Sequence, residues 1–254
     1  MICFEYKIPH GENIIYGKLY RPAREGKFPA IVISHGYNGV GKCFKRECEF
    51  FAKNGFVAYA FDFCGGSVFS RSTGKSTDMT IFTEKENLLR VFDEISRLPF
   101  VDENNVFLFG ASQGGLVSAL AAEELKGKVR ALALYYPALC IPDNWRENYP
   151  EQSDIPEKTP FWGMTLGRKF FESIRNFFVF DHLGSYAGRV LVLHGDEDAI
   201  VPLSYSNRLK ETYDACELVV LENEGHGFTA KGGKRAAERV LQFLNEQKNQ
   251  KNEI

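Results

Sequence analysis

The chain alternates short apolar runs with amphipathic stretches, and the two differ in period. "AIVISHG" (30–36) is apolar until it stops at a histidine and a glycine, the pattern of a strand buried on both faces. "VAYAFDF" (57–63), "NVFLFGA" (105–111), "ALALYYP" (131–137), "VLVLHG" (190–195) and "ELVVLE" (217–222) repeat that pattern. Residues 3–8 and 13–20, with Gly11 near the turn, read as an antiparallel pair. Helices are expected over 44–53, 83–98, 113–125, 203–212 and 233–247. In 83–98, Leu88, Leu89, Val91, Phe92, Ile95 and Leu98 recur at helical spacing, and Thr83 with Glu86 reads as a capping box. The charges within 84–97 fall on one side and read as a solvated face.

Strand-helix alternation of this kind predicts an α/β fold: a mostly parallel, eight-stranded sheet with helices on both faces. The rhythm breaks once. About fifty residues separate the strand ending near Pro137 from the one starting near Arg189, too many for a plain loop. They hold Pro142, Pro150, Pro156 and Pro160 and a helical stretch at 166–177. The expected organisation is a core of 1–138 and 186–254 with a cap, 139–185, inserted after the sixth strand. The polar tail "NEQKNQKNEI" is expected to fray.

Composition narrows the functional classes. The 254 residues are 44% hydrophobic and 25% charged, with a formal net charge of -2. No basic surplus points to nucleic acid or an anionic membrane. No 18-residue apolar window suggests a transmembrane helix, and the N-terminus reads as a strand pair rather than a secretory signal. The six cysteines are scattered and form no C-x-x-C pair. That argues against zinc or dithiol chemistry and fits buried thiols in a reducing cytoplasm. "STGKST" (72–77) is not a phosphate loop, because Phe69 stands where the motif needs glycine. Cys64 in "DFCGGS" would need a nearby base or cation to become a thiolate, and a serine accounts for more of the pattern.

That serine is Ser112. Gly110-Ala111-Ser112-Gln113-Gly114 fits G-x-S-x-G between a predicted strand and a predicted helix. Small neighbours let the chain turn sharply there and raise the hydroxyl clear of the sheet, beside the N–H groups of a helix N-terminus. A hydroxyl needs a base. Among five histidines, His226 lies in "ENEGHGF" just beyond the last strand, at the sheet edge where loops after parallel strands gather. "HGDEDAIVP" (194–202) follows the preceding strand and offers the acid. Loop position and the order Ser…Asp…His favour Asp198 over Asp196 and Glu197. An oxyanion hole would take one N–H from Gln113, the residue after the nucleophile. The other would come from the glycine-rich loop "SHGYNGVG" (34–41), with Tyr37 as donor and His35 as loop support.

With Ser112, Asp198, His226 and "HGYNG" in this order, the chain resembles the α/β-hydrolases over essentially its full length. "HGYNG", "GASQGG", "IPEKTPFWGMTLGRKFF", "HGDEDAIVP" and "EGHGF" resemble the small bacterial cinnamoyl (feruloyl) esterases more narrowly. The resemblance implies Ser112 as nucleophile, His226 as general base, Asp198 as its orienter, and Tyr37 and Gln113 as oxyanion donors. It implies no metal and no cofactor. It also implies a cap aspartate that meets an aryl hydroxyl, with Asp143 near the corresponding place. The cap holds both tryptophans. Trp145 and Trp162, among prolines and polar residues, are the pocket candidates, whereas the helix phenylalanines read as the cap's own core. The expected partner is a small-molecule ester, with no nucleic acid and no membrane; monomer and homodimer both stay open. Alternatives with the same triad are a short-chain carboxylesterase, a thioesterase or a small serine peptidase. A non-catalytic ligand-binding homologue is the alternative from another class.

Overall fold

The computed structural model describes residues 1–248; the last part of the polar tail, 249–254, lies outside the described residues. Strands β1 (Ile2–His10) and β2 (Asn13–Arg21) form the expected antiparallel pair, with Gly11 at φ +57° in the turn. Then come β3 (Phe28–Ser34), α1 (Lys45–Lys53), β4 (Val57–Phe61), α2 (Ile81–Ser96), β5 (Val101–Ala111), α3 (Gln113–Leu125) and β6 (Ala131–Tyr135). The insertion carries α4 (Ile141–Asn148), a hairpin of β7 (Lys158–Phe161) and β8 (Met164–Gly167), and α5 (Arg168–Ile174). The chain closes with β9 (Arg189–Gly195), α6 (Leu203–Thr212), β10 (Cys216–Leu221) and α7 (Ala230–Lys248). Thus 245–248, expected to fray, continue a helix.

Among the described residues one sheet has eight strands in the order β1-β2-β4-β3-β5-β6-β9-β10. Every pair from β4 onward is parallel; β1 and β2 are the antiparallel exceptions. Alternation along β3 explains the two layers. Ala30 and Val32 join one core with Leu88 and Val91 of α2 and Leu116 of α3. Ile31 and Ile33 join the other with Phe51 of α1 and Val240 and Phe243 of α7. All four β3 side chains are fully buried, as a strand covered on both faces requires.

Two expectations about helices are corrected. Helix α2 starts at Ile81, and its capping box is Thr80 with Thr83, not Thr83 with Glu86. Thr80 is extended (φ -140°), and its hydroxyl accepts from the Thr83 N–H at 3.0 Å. The Thr83 hydroxyl in turn receives the Thr80 N–H at 2.9 Å, the role usually given to glutamate. The second correction concerns the insertion. Its expected helix over 166–177 is the end of a hairpin followed by the seven-residue α5. Trp162 (φ +39°) and Gly163 (φ +78°) make the two-residue turn, a conformation that the tryptophan disguises in the sequence. Pro142 sits in the first turn of α4, where its fixed φ favours a helix start. Phe170 and Phe171 are buried in the same core as the sheet, so the insertion is packed on the body of the molecule rather than around a core of its own. No helix of the described residues is long and apolar enough to cross a membrane.

Thr80→Ala removes one half of the reciprocal cap and is expected to lower stability by about 1 kcal/mol, with denaturant midpoints checking it.

Candidate active site

Strand β5 delivers Ser112 to the carboxyl edge of the sheet and α3 begins at once behind it. The backbone there is forced: Ser112 has φ +55° and ψ -122°. That turn tolerates no side chain two residues to either side, at 110 and 114. A Cβ at Gly110 would lie 2.2 Å from the Gly114 carbonyl oxygen, and one at Gly114 would lie 2.3 Å from the His35 carbonyl oxygen. The glycines of the motif are therefore steric requirements of the turn.

The loops after β9 and β10 bring two further groups to the same edge. His226 Nε2 lies 3.0 Å from Ser112 Oγ, and its Nδ1 lies 2.8 Å from Asp198 Oδ2. A carboxylate accepts only, so Nδ1 carries the proton and Nε2 accepts from the serine hydroxyl. Asp198 is fully buried on its side chain, and Oδ1 accepts the N–H groups of Ile200 and Val201, both at 2.9 Å. Burial pushes its carboxyl upward, but the hydrogen bonds from Val201, His226 and Ile200 outweigh it and hold the group below its usual range. Tyr136 packs its ring 4.5 Å from the imidazole of His226.

Tyr37 and Gln113 line one cavity with Ser112, as an oxyanion hole requires. Their backbone N–H groups enter none of the backbone hydrogen bonds of the described residues outside helices and strands. His35 supports that loop. The Phe63 N–H donates to its Nε2 at 3.0 Å, so Nδ1–H donates to the Gly36 carbonyl at 2.8 Å. Burial lowers its pKa and keeps it neutral. Cys64 is not a thiolate, since burial pushes its thiol up to about 11.

The cavity measures about 360 Å³. The insertion builds much of its wall with Trp145, Phe161, Trp162 and Phe170, and Ile200 and Val201 close the opposite side. Both predicted tryptophans stand there; Trp145 stacks on Tyr149 and Trp162 on Phe161. Phe170, read as core only, does both. Asp143 does not reach the cavity. Its carboxylate is taken by Arg146 on one oxygen and by the Tyr205 hydroxyl, at 2.7 Å, on the other. One residue on, the helix turns by about 100°. Asn144, and Asn148 one turn later, face the cavity instead.

Sequence reasoning also misplaced Glu84. It belongs to the stretch read as a solvated face, yet it is fully buried and accepts the side-chain N–H of Gln113 at 2.8 Å. Because α2 starts two residues earlier than expected, Glu84 falls in its first turn, beneath the Ser112 turn. The signal available was the unpaired polar demand of the Gln113 side chain at the head of an otherwise apolar helix.

A model of the prolyl oligopeptidase family matches residues 42–251. The chain belongs to that family. It is a serine hydrolase with the α/β-hydrolase fold. This prolyl oligopeptidase family member is similar to YtmA of Bacillus subtilis, described as an uncharacterized peptidase: 22% identity, covering 91% of this chain and 88% of that one. It is 30% identical to the acetyl esterase Axe7A of Xylanibacter ruminicola over 54% of this chain and 36% of that protein. Among solved structures it matches Est1E of Butyrivibrio proteoclasticus, solved with ferulic acid bound, at TM-score 0.89 and 27% identity. That match covers 96% of this chain and 100% of Est1E.

Burial, partly offset by the Gln113 hydrogen bond, raises the Glu84 pKa from 4.5 to about 8. Between those values the unfolded chain releases a proton that the folded protein keeps. The stability Glu84 contributes is thus complete below pH 4.5 and lost as pH rises through about 8. Glu84→Gln keeps an acceptor for Gln113 and has no proton to lose. Its melting temperature is expected to fall less than the wild type's between pH 5 and pH 8, as thermal melts across that range would check.

Proposed function

We propose that this chain is a serine esterase that cleaves esters of hydroxycinnamic acids through an acyl-enzyme. The observation that carries the proposal is the Ser112–His226–Asp198 chain of hydrogen bonds opening onto a small aromatic cavity. Ser112 Oγ attacks the ester carbonyl while its proton passes to His226 Nε2. The oxyanion is held by the N–H groups of Tyr37 and Gln113. Collapse breaks the bond to the alcohol, which leaves with the proton from His226. Water then attacks the acyl carbon and gives a proton to His226. The Oγ–acyl bond breaks, the serine recovers the proton, and the acid departs. Asp198 keeps Nδ1 protonated and stabilises the imidazolium formed in each step.

The cap, 139–185, selects the acyl group in this reading. A cavity near the lower end of the usual ligand range, roughly 300–1,000 Å³, suits one ring and a short linker rather than a long acyl chain. Trp145, Phe161 and Trp162 suit the ring. Asn144 and Asn148 take the place foreseen for Asp143. One amide N–H of Asn144 goes to Cys140 Sγ (3.6 Å) and one of Asn148 to the Asn144 carbonyl (2.7 Å), and the two carboxamide oxygens can accept from a phenolic hydroxyl. Similarity to Est1E with its ferulic acid supports the same reading. Similarity to Axe7A favours a second one, a short-chain esterase.

A panel of hydroxycinnamate, acetyl and thio esters with peptide amides tests the proposal. Hydroxycinnamates are expected to give the highest kcat/KM; faster turnover of acetyl esters moves the assignment to the second reading. Ser112→Ala is expected to lose roughly 10⁴-fold or more in kcat and all labelling by a fluorophosphonate. Asn144→Leu combined with Asn148→Leu is expected to lower kcat/KM about 10-fold for a para-hydroxylated cinnamate relative to the unsubstituted one.

A further inference from the structure

Asp198 has a second imidazole against it. His194, the penultimate residue of β9, is fully buried. Its Nε2 lies 3.0 Å from the Val201 carbonyl and 3.3 Å from Asp198 Oδ2, the same oxygen that His226 engages. Both neighbours of Nε2 accept only, so Nε2 carries the proton. Nδ1, 2.7 Å from Ser206 Oγ on α6, then accepts the serine hydroxyl. Every hydrogen-bonding atom of this ring has a partner and its tautomer is fixed.

We propose that His194 is a positioning residue for the catalytic acid: its Nε2–H locks the Asp198–Val201 turn and presents a second positive dipole to the carboxylate that orients His226. The inference rests on the triad reading given above. The turn is tied at both ends. Val201 N–H donates to Asp198 Oδ1, while the Val201 carbonyl accepts from His194. Rotation of Asp198 breaks its bonds to the Ile200 and Val201 N–H groups and to His226, and retreat of the turn breaks the bond of Val201 to His194 of β9. Burial lowers the pKa of His194, so it stays neutral and adds a dipole, not a full charge, beside Asp198. The titratable groups around this carboxylate are His194 from β9, His226 after β10, Tyr136 after β6 and Cys140 before α4. The latter two are held neutral by burial, so among the described residues Nε2–H of His194 is the polar contact to Oδ2 besides His226.

Two amides separate positioning from packing. A glutamine carries its N–H to the Nε2 position; an asparagine reaches only the Nδ1 position and keeps Ser206 alone. His194→Asn is expected to lower kcat about 10-fold with KM within two-fold. Its more negative carboxylate should hold the imidazolium to higher pH, moving the acidic limb of kcat/KM upward by roughly half a unit. His194→Gln is expected to stay within about threefold of wild type with the limb in place. Equal impairment of both variants, or an unshifted limb in His194→Asn, overturns the proposal. Should His194→Asn not fold by circular dichroism, the limb in His194→Gln decides: in place supports positioning, displaced overturns it. Wild-type protein that turns over no ester, thio ester or peptide amide of the panel and takes no fluorophosphonate label would sink the triad reading itself, a result distinct from either outcome.

Discussion

The backbone at Ser112 is the constraint on which the rest depends. A non-glycine residue at φ +55° is held against its own preference, and the surroundings must over-determine it. Here they do so through close packing of backbone on backbone. Gly114 lies against the Ser34 and His35 carbonyls at the end of β3, and Gly110 against the carbonyl of Gly114 itself. The serine is strained because three strands and a helix meet at one point, and its hydroxyl stands clear of the sheet for the same reason. The two partners then need only loops of modest length after β9 and β10, since parallel strands end at a common edge.

Much of this was readable in the residues. Fully apolar runs identify buried parallel strands, since both faces of such strands are covered. All eight expected strands are present. The meeting of Ser112, Asp198 and His226 was readable because each lies in the turn or loop that follows a strand, where topology leaves little choice of place. Asp198 was preferred to Asp196 on loop position and on the order Ser…Asp…His, and it is the residue that meets the N–H groups of Ile200 and Val201. The insertion was not readable to the same degree. Its hairpin turn uses Trp162 with Gly163, so the tryptophan hid the turn, and the proline in the first turn of its first helix was not used as a helix-start signal. Asp143 failed for a related reason: facing on a helix changes completely from one residue to the next, and without the start of α4 the choice between Asp143 and Asn144 has no basis.

Buried polar groups form a second pattern. Glu84, His35 and His194 are hidden ionisable side chains near the site, and each meets a group that the site depends on: the Gln113 side chain, the loop before Tyr37, the turn of Asp198. In low dielectric an unpaired partner would be costly, so each contact fixes geometry more firmly than an exposed one. Composition cannot reveal such contacts. A charged residue in a helix reads as solvated until the helix's start and neighbours are known.

The tip of the β7–β8 hairpin is fastened to the loop that carries Tyr37. The Tyr37 hydroxyl donates to the Phe161 carbonyl at 2.8 Å, and the Asn38 amide to the Trp162 carbonyl at 3.1 Å. The aromatic wall of the cavity and the strand-end loop beside Ser112 are therefore joined by two hydrogen bonds. A substitution that shifts the hairpin tip therefore also pulls on the loop of Tyr37 and Asn38. For the proposed reaction, the part that would choose the substrate and the part that would set its rate share one fastening.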